Sequence, residues 1–127
     1  MRPTLHTPHI LSTLRDAAAL FALCAAVTST AQAMTIREMR ALEKTEKLGS
    51  TYTDYYLVGV MEGAVEAHNQ AVRQGASPSI CLNGRKLEPH MAKGLYTTEL
   101  KRNADVYEAD FPVQLVLTNA LTTVYAC

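Results

Sequence analysis

Apolar positions recur at a helical period along most of the chain beyond Met34. The clearest run is "ADVYEADFPVQLVLTNALTTVYAC". At 100° per residue, Val113, Val116, Leu117, Ala120, Leu121 and Val124 form one face, with Gln114, Thr118, Asn119 and Thr122 opposite. Pro112 can start that helix, because its fixed φ suits a first turn and it has no N–H to satisfy. The β-branched content of "VQLVL" also permits a strand. A strand, however, would need a period of two and a turn before Thr122, so the helix is the better reading. "MTIREMRALEKTEKLGS" opens with Thr35 and Glu38 at capping-box spacing. Ile36, Met39 and Leu42 follow on one side, and Gly49 offers a stop.

The longest helical segment is "STYTDYYLVGVMEGAVEAHNQAVRQGASP", ended by Gly75 and Pro78. Tyr52, Tyr56, Gly59, Val60, Gly63 and Ala67 fall within a narrow arc, and Asp54, Glu62, Glu66, Asn69 and Arg73 lie outside it. Each interior glycine costs about 1 kcal/mol against alanine. Gly59 and Gly63 beside Tyr56 therefore predict close approach of a neighbouring helix backbone. "SICLNGRKLEP" reads as a loop with an Asn83-Gly84 turn; its flanks make poor hairpin strands. "EPHMAKGLYTTELKRNAD" predicts a further helix with Pro89 in its first turn. Met91, Leu95, Tyr96 and Leu100 lie on its apolar side, and Lys101 and Arg102 suit its C-terminal dipole. The expected fold is all-α, a small bundle of about four helices in one domain over residues 34–127.

The first 33 residues have a different pattern. Arg2 and Arg15 precede the apolar run Ala17–Val27, and "STAQA" places Ala31 and Ala33 at A-x-A cleavage positions. That is the three-part pattern of a secretory signal peptide, and the run is shorter than the roughly 20 residues of a membrane span. The alternatives are a buried N-terminal helix or a lipid anchor on Cys24, but Leu23 is bulky where lipidation wants a small residue. Cleavage after Ala33 removes Cys24 and leaves Cys81 and Cys127. In an oxidising compartment one disulfide is the expected pairing; free thiols or an intermolecular bridge are the alternatives. The closed loop would contribute on the order of 4 kcal/mol through chain entropy.

Charge narrows the partners. The chain has 12 basic and 12 acidic residues, and loss of Arg2, Arg15 and Asp16 leaves 10 against 11. There is no basic stripe for nucleic acid and no apolar run for a membrane span after the leader. His68 and His90 lack zinc-ligand spacing, so no metal or other cofactor is expected. No phosphate loop, nucleophile elbow or C-x-x-C pair is present, so no catalytic residue is assigned. Glu62 and Glu66, one turn apart, read as solvated. Tyr52, Tyr56 and Tyr125 read as core edge, while Tyr55, Tyr96 and Tyr107 are left open between packing and interface roles.

Taken together, Tyr56, Gly59, Gly63, Cys81, Ala120, Leu121, Tyr125 and Cys127 carry a resemblance over roughly Tyr55–Cys127. The chain resembles the Rap/Tai family of periplasmic immunity proteins, which protect bacteria from type VI secretion effectors. Two positions depart from the family pattern: Ala126 stands where proline often precedes the last cysteine, and Leu82-Asn83-Gly84 stands where proline often follows the first. The resemblance implies a periplasmic, disulfide-locked helical protein, often a homodimer. It would bind and block a cognate secreted toxin, in some members a peptidoglycan amidase. It also implies that loops plug the toxin's cleft, here Asn83, Gly84, Arg85 and Lys86, with Arg102, Asn103 and Asp105 on a second loop. An acid-stress chaperone of the HdeA type shares the size, helicity and single disulfide, and is the alternative; a small hydrolase would need the catalytic residues that are missing. Protein recovered after export is expected to lack residues 1–33 and to have no free thiol. Intact mass with thiol labelling checks both, and two labelled cysteines in unreduced protein would exclude the pairing.

Overall fold

Among the described residues four helices follow one another: α1 (Ile36–Thr45), α2 (Gly49–Arg73), α3 (Met91–Arg102) and α4 (Val113–Val124). They are seen in a computed structural model that describes residues 32–127. The signal-peptide reading over residues 1–33, with Cys24, falls outside the described residues except for Gln32 and Ala33. Helix α4 packs against α2 and α3, and α2 packs against α1 and α3. Among the described residues no helix is long and apolar enough to cross a membrane.

Helix α1 starts where its capping box predicts. The Glu38 N–H donates to the Thr35 hydroxyl at 3.2 Å, and the Thr35 N–H donates back to the Glu38 carboxylate at 2.7 Å. The Thr35 N–H first, and then the Thr35 hydroxyl at 3.0 Å from the same carboxylate, hold the Glu38 carboxyl below its usual pKa. Ile36 and Met39 are buried.

Gly49 does not stop α1. That helix ends at Thr45, and Gly49 opens α2 in a buried position. A Cβ at Gly49 would overlap the Leu42 carbonyl oxygen and lie 2.9 Å from Glu43 Cα, so only glycine lets the two helices meet there. Next to this contact the Thr53 hydroxyl is fully buried. It lies 3.0 Å from both the Glu43 carboxylate and the Ser50 carbonyl, and donates to one at a time.

The buried line of α2 is Gly49, Thr53, Leu57 and Met61, one position later than the predicted arc. "YYLVGVM" is apolar nearly all round, so periodicity alone could not fix which side faces inward. Tyr52 is accordingly half exposed rather than core edge, and Tyr55 is 75% exposed. Tyr56 is half-buried and its hydroxyl accepts the Met34 N–H at 3.2 Å. A Cβ at Gly59 or Gly63 would meet nothing within 4 Å. The expected close helix approach at these two positions is therefore not met among the described residues. Gly75, with φ of 99°, ends the helix as predicted.

Helix α3 starts at Met91, two residues after Pro89, so the proline sits in the preceding turn rather than the first helical turn. There the Met91 N–H donates to the Glu88 carbonyl at 2.9 Å. Ala92, Tyr96 and Glu99 are the buried positions of α3, while Met91, Leu95 and Leu100 are partly covered. Burial pushes the Tyr96 hydroxyl up to a pKa of about 12, and it has no hydrogen-bond partner among the described residues.

Helix α4 is the centre of the core. Val113, Val116, Leu117, Ala120 and Leu121 are essentially fully buried, whereas Val124, the last of the predicted face, is partly exposed. Pro112 caps it with φ −63° and ψ 131°. The chain before α1 straps its start: the Val113 N–H donates to the Met34 carbonyl at 2.9 Å, and the Ile36 N–H to the Phe111 carbonyl at 3.0 Å. At the other end the Cys81 N–H donates to the Tyr125 carbonyl at 2.7 Å, and Cys81 is disulfide-bonded to Cys127 with Cα atoms 4.8 Å apart.

Gly49→Ala is expected to destabilise the protein by about 1–3 kcal/mol through overpacking. Gly63→Ala, with free space around its Cβ, is expected to stabilise it by up to about 1 kcal/mol through helix propensity. Thermal unfolding of the two variants checks the contrast, which should appear as melting shifts of opposite sign.

Candidate functional site

The loop after Cys81 is a built turn. Asn83 and Gly84 have φ of 51° and 79°, and the Arg85 N–H donates to the Leu82 carbonyl at 2.9 Å. Two successive residues at positive φ are the type I′ pattern, which Asn-Gly favours. The Arg85 side chain folds back over this turn. Its Nε donates to the Leu82 carbonyl at 2.9 Å and its Nη2 to the Cys81 carbonyl at 3.1 Å. The guanidinium also lies 4.6 Å from the centroid of the buried Tyr125 ring. Arg85 is thus a clamp as much as a surface charge. Asn83, Gly84 and Lys86 are exposed around it.

The second predicted loop divides differently. Asp105 is exposed. Asn103 is half-buried, and its Nδ2 donates to Glu99 Oε1 at 2.7 Å. The same oxygen accepts from the Tyr107 hydroxyl at 2.8 Å, and that hydroxyl accepts from Asn119 Nδ2 at 3.0 Å. Asn103 Nδ2 therefore ties its own loop to α3. Burial, more than any bond, pushes the Tyr107 pKa up. Arg102 Nη1 lies 3.9 Å from Glu99 Oε2, a loose pair with the arginine half exposed.

The Arg85 turn and the C-terminal end of α3 share one ring. Tyr125 lies under Arg85 and also lines a cavity of about 260 Å³ between α3 and α4, whose wall includes Glu99 and Arg102. On the other side of the turn, Arg85 and Lys86 edge a shallow groove against Glu62 and Glu66 of α2. Of the predicted residues, then, Arg85 and Arg102 lie at the Tyr125 end of α4, while Asn83, Gly84 and Lys86 are the exposed neighbours of Arg85 in its turn. Tyr56, Gly59 and Gly63 belong to a separate hollow of about 410 Å³ with Tyr55 and Gln114. The Glu99, Tyr107 and Asn119 network is not among the site residues that the sequence predicts. Its only signal was an acidic residue on the inner side of a helix.

The histidines have local roles. His68 Nε2 accepts the Ile80 N–H at 3.4 Å, and His90 lies 3.3 Å from Glu88. Among the described residues no group of three His, Cys, Asp or Glu side chains is placed to hold a metal ion. No family model, no curated protein and no solved structure matches the chain.

Arg85→Ala removes two hydrogen bonds and a cation–π contact, and is expected to cost about 1–2 kcal/mol. Lys86→Ala should stay within about 0.5 kcal/mol. Urea denaturation of the oxidised protein separates them; equal midpoints would show that Arg85 is not a clamp.

Proposed function

We propose that the protein is an exported immunity protein that binds one secreted toxin and neutralises it. The sequence resemblance to the Rap/Tai family supports this reading, as does the leader-like N-terminus. The observation that carries it is the Leu82–Arg85 turn, fixed on one side by the Cys81–Cys127 disulfide and on the other by Arg85 on Tyr125. An inhibitor gains affinity when its contact loop is ordered before binding, because no ordering entropy is then lost on contact. A turn with both central residues left-handed and its carbonyls already bonded meets that requirement. Lys86 and Asp105 would supply the charged contacts, while Arg85 would act by holding the turn's shape.

The cognate effector follows from the resemblance, a peptidoglycan amidase being one candidate class. The product of the adjacent gene is the first to test, by pull-down and by protection of cells that export it. Binding is expected, and Lys86→Glu with Asp105→Lys should weaken it at least tenfold without moving the melting temperature. Binding that survives this double reversal would discard the contact loops but keep the role. Failure to bind, with broad suppression of client aggregation at low pH, would instead establish an acid-stress chaperone. Sedimentation of the exported protein tests the homodimer that the resemblance implies.

A further inference from the structure

We propose that the cleft between α3 and α4 is a binding site for an alkylammonium group, recognised by Glu99. The proposal does not depend on the toxin-binding reading, although both involve the Tyr125 ring.

Glu99 is only 4% exposed, and an ionised carboxylate removed from water needs donors on both oxygens. Oε1 has two, Asn103 Nδ2 at 2.7 Å and the Tyr107 hydroxyl at 2.8 Å. Among the described residues Oε2 has no hydrogen-bond donor and is not fully sealed from solvent; Arg102 Nη1, at 3.9 Å, is a loose ion-pair partner beyond hydrogen-bond reach, its half-exposed side chain screened by solvent. Glu99 forms part of the wall of the cavity of about 260 Å³, and Met91, Leu95, Ala120, Val124 and the Tyr125 ring supply apolar surface. Gly94 also lines it, and a Cβ there would meet nothing within 4 Å.

These features select a ligand class. A methylene stem matches the apolar wall, and an ammonium at its end supplies the charge-assisted donor that Oε2 lacks. A neutral alcohol would satisfy the oxygen without balancing its charge. A carboxylate ligand would be repelled by Glu99, with only the loosely held Arg102 to attract it. The ammonium could come from a lysine side chain of a partner protein or from a free amine.

The test is an NMR titration of oxidised protein recovered from expression of the full chain. The probes are 1-pentylammonium, 1-pentanol, pentanoate and Nα-acetyl-lysine amide. Pentylammonium is expected to shift the amides of Gly94, Glu99, Ala120 and Tyr125 saturably, and to bind at least tenfold more tightly than pentanol. Glu99→Gln keeps an oxygen for Asn103 and Tyr107 but removes the charge, and should lower pentylammonium affinity to that of pentanol. Gly94→Leu fills open space at a helical position and should abolish binding while the protein stays folded. If Glu99→Gln does not fold, the amine–alcohol contrast and Gly94→Leu decide the matter. Acetyl-lysine amide binding like pentylammonium would identify a lysine side chain as the source, and its failure beside bound pentylammonium would identify a free amine. Equal binding of pentanol, preference for pentanoate or the absence of saturable shifts would overturn the proposal.

Discussion

Burial of α4 is the constraint on which the rest of this structure depends. Five of its side chains are shielded from water, and α2 and α3 both close against it. A helix so placed must have its backbone ends satisfied as well, because an unpaired buried N–H costs nearly as much as a lost hydrogen bond. The Met34 carbonyl accepts from Val113, the first helical residue, and the Pro112 carbonyl serves Leu115 and Val116. At the far end the Tyr125 carbonyl is taken by Cys81, next to the disulfide. Domains of this size have a net stability of only about 5–15 kcal/mol, so one covalent link of this span is a large share of it.

The parts of the fold that were legible in the sequence were those set by local chemistry. The α1 capping box, Pro112 ahead of α4, Gly75 after α2 and the Asn83-Gly84 turn each follow from the conformational demands of a few adjacent residues. The α4 face was legible because polar residues flank it cleanly. The inward side of α2 was not, because its middle offers apolar side chains in every direction. The glycines misled for a related reason. Their spacing said that a backbone could come close, but only the tertiary arrangement decides whether one does; Gly49 has the close neighbour, while Gly59 and Gly63 have none among the described residues.

The candidate site was legible to about the same depth. The turn after Cys81 could be read, since its sequence dictates its shape. That Arg85 would bend back onto Tyr125 could not, because the two are brought together only when Cys81 reaches Cys127. The hydrogen-bond network of Glu99 was illegible for the same reason. Asn103 and Tyr107 follow Glu99 closely along the chain, but Asn119 reaches the Tyr107 hydroxyl only from α4. A buried carboxylate of this kind is a tertiary feature that helical periodicity reads as an ordinary polar position.

The strap between Met34 and Val113 also has a consequence for the order of folding. A chain synthesised from its N-terminus produces Ile36, Met39, Leu57 and Met61 long before the helix that covers them exists. Until Val113–Leu121 arrives, α1 and α2 have each other and little more, and the strap has no acceptor or donor to meet. Contacts this distant in sequence form late and slowly. The native core is therefore completed only when α4 has been delivered, and the residues just after it bring Cys127 to Cys81. Anything that shields the early helices in that interval acts on a core that this topology leaves incomplete.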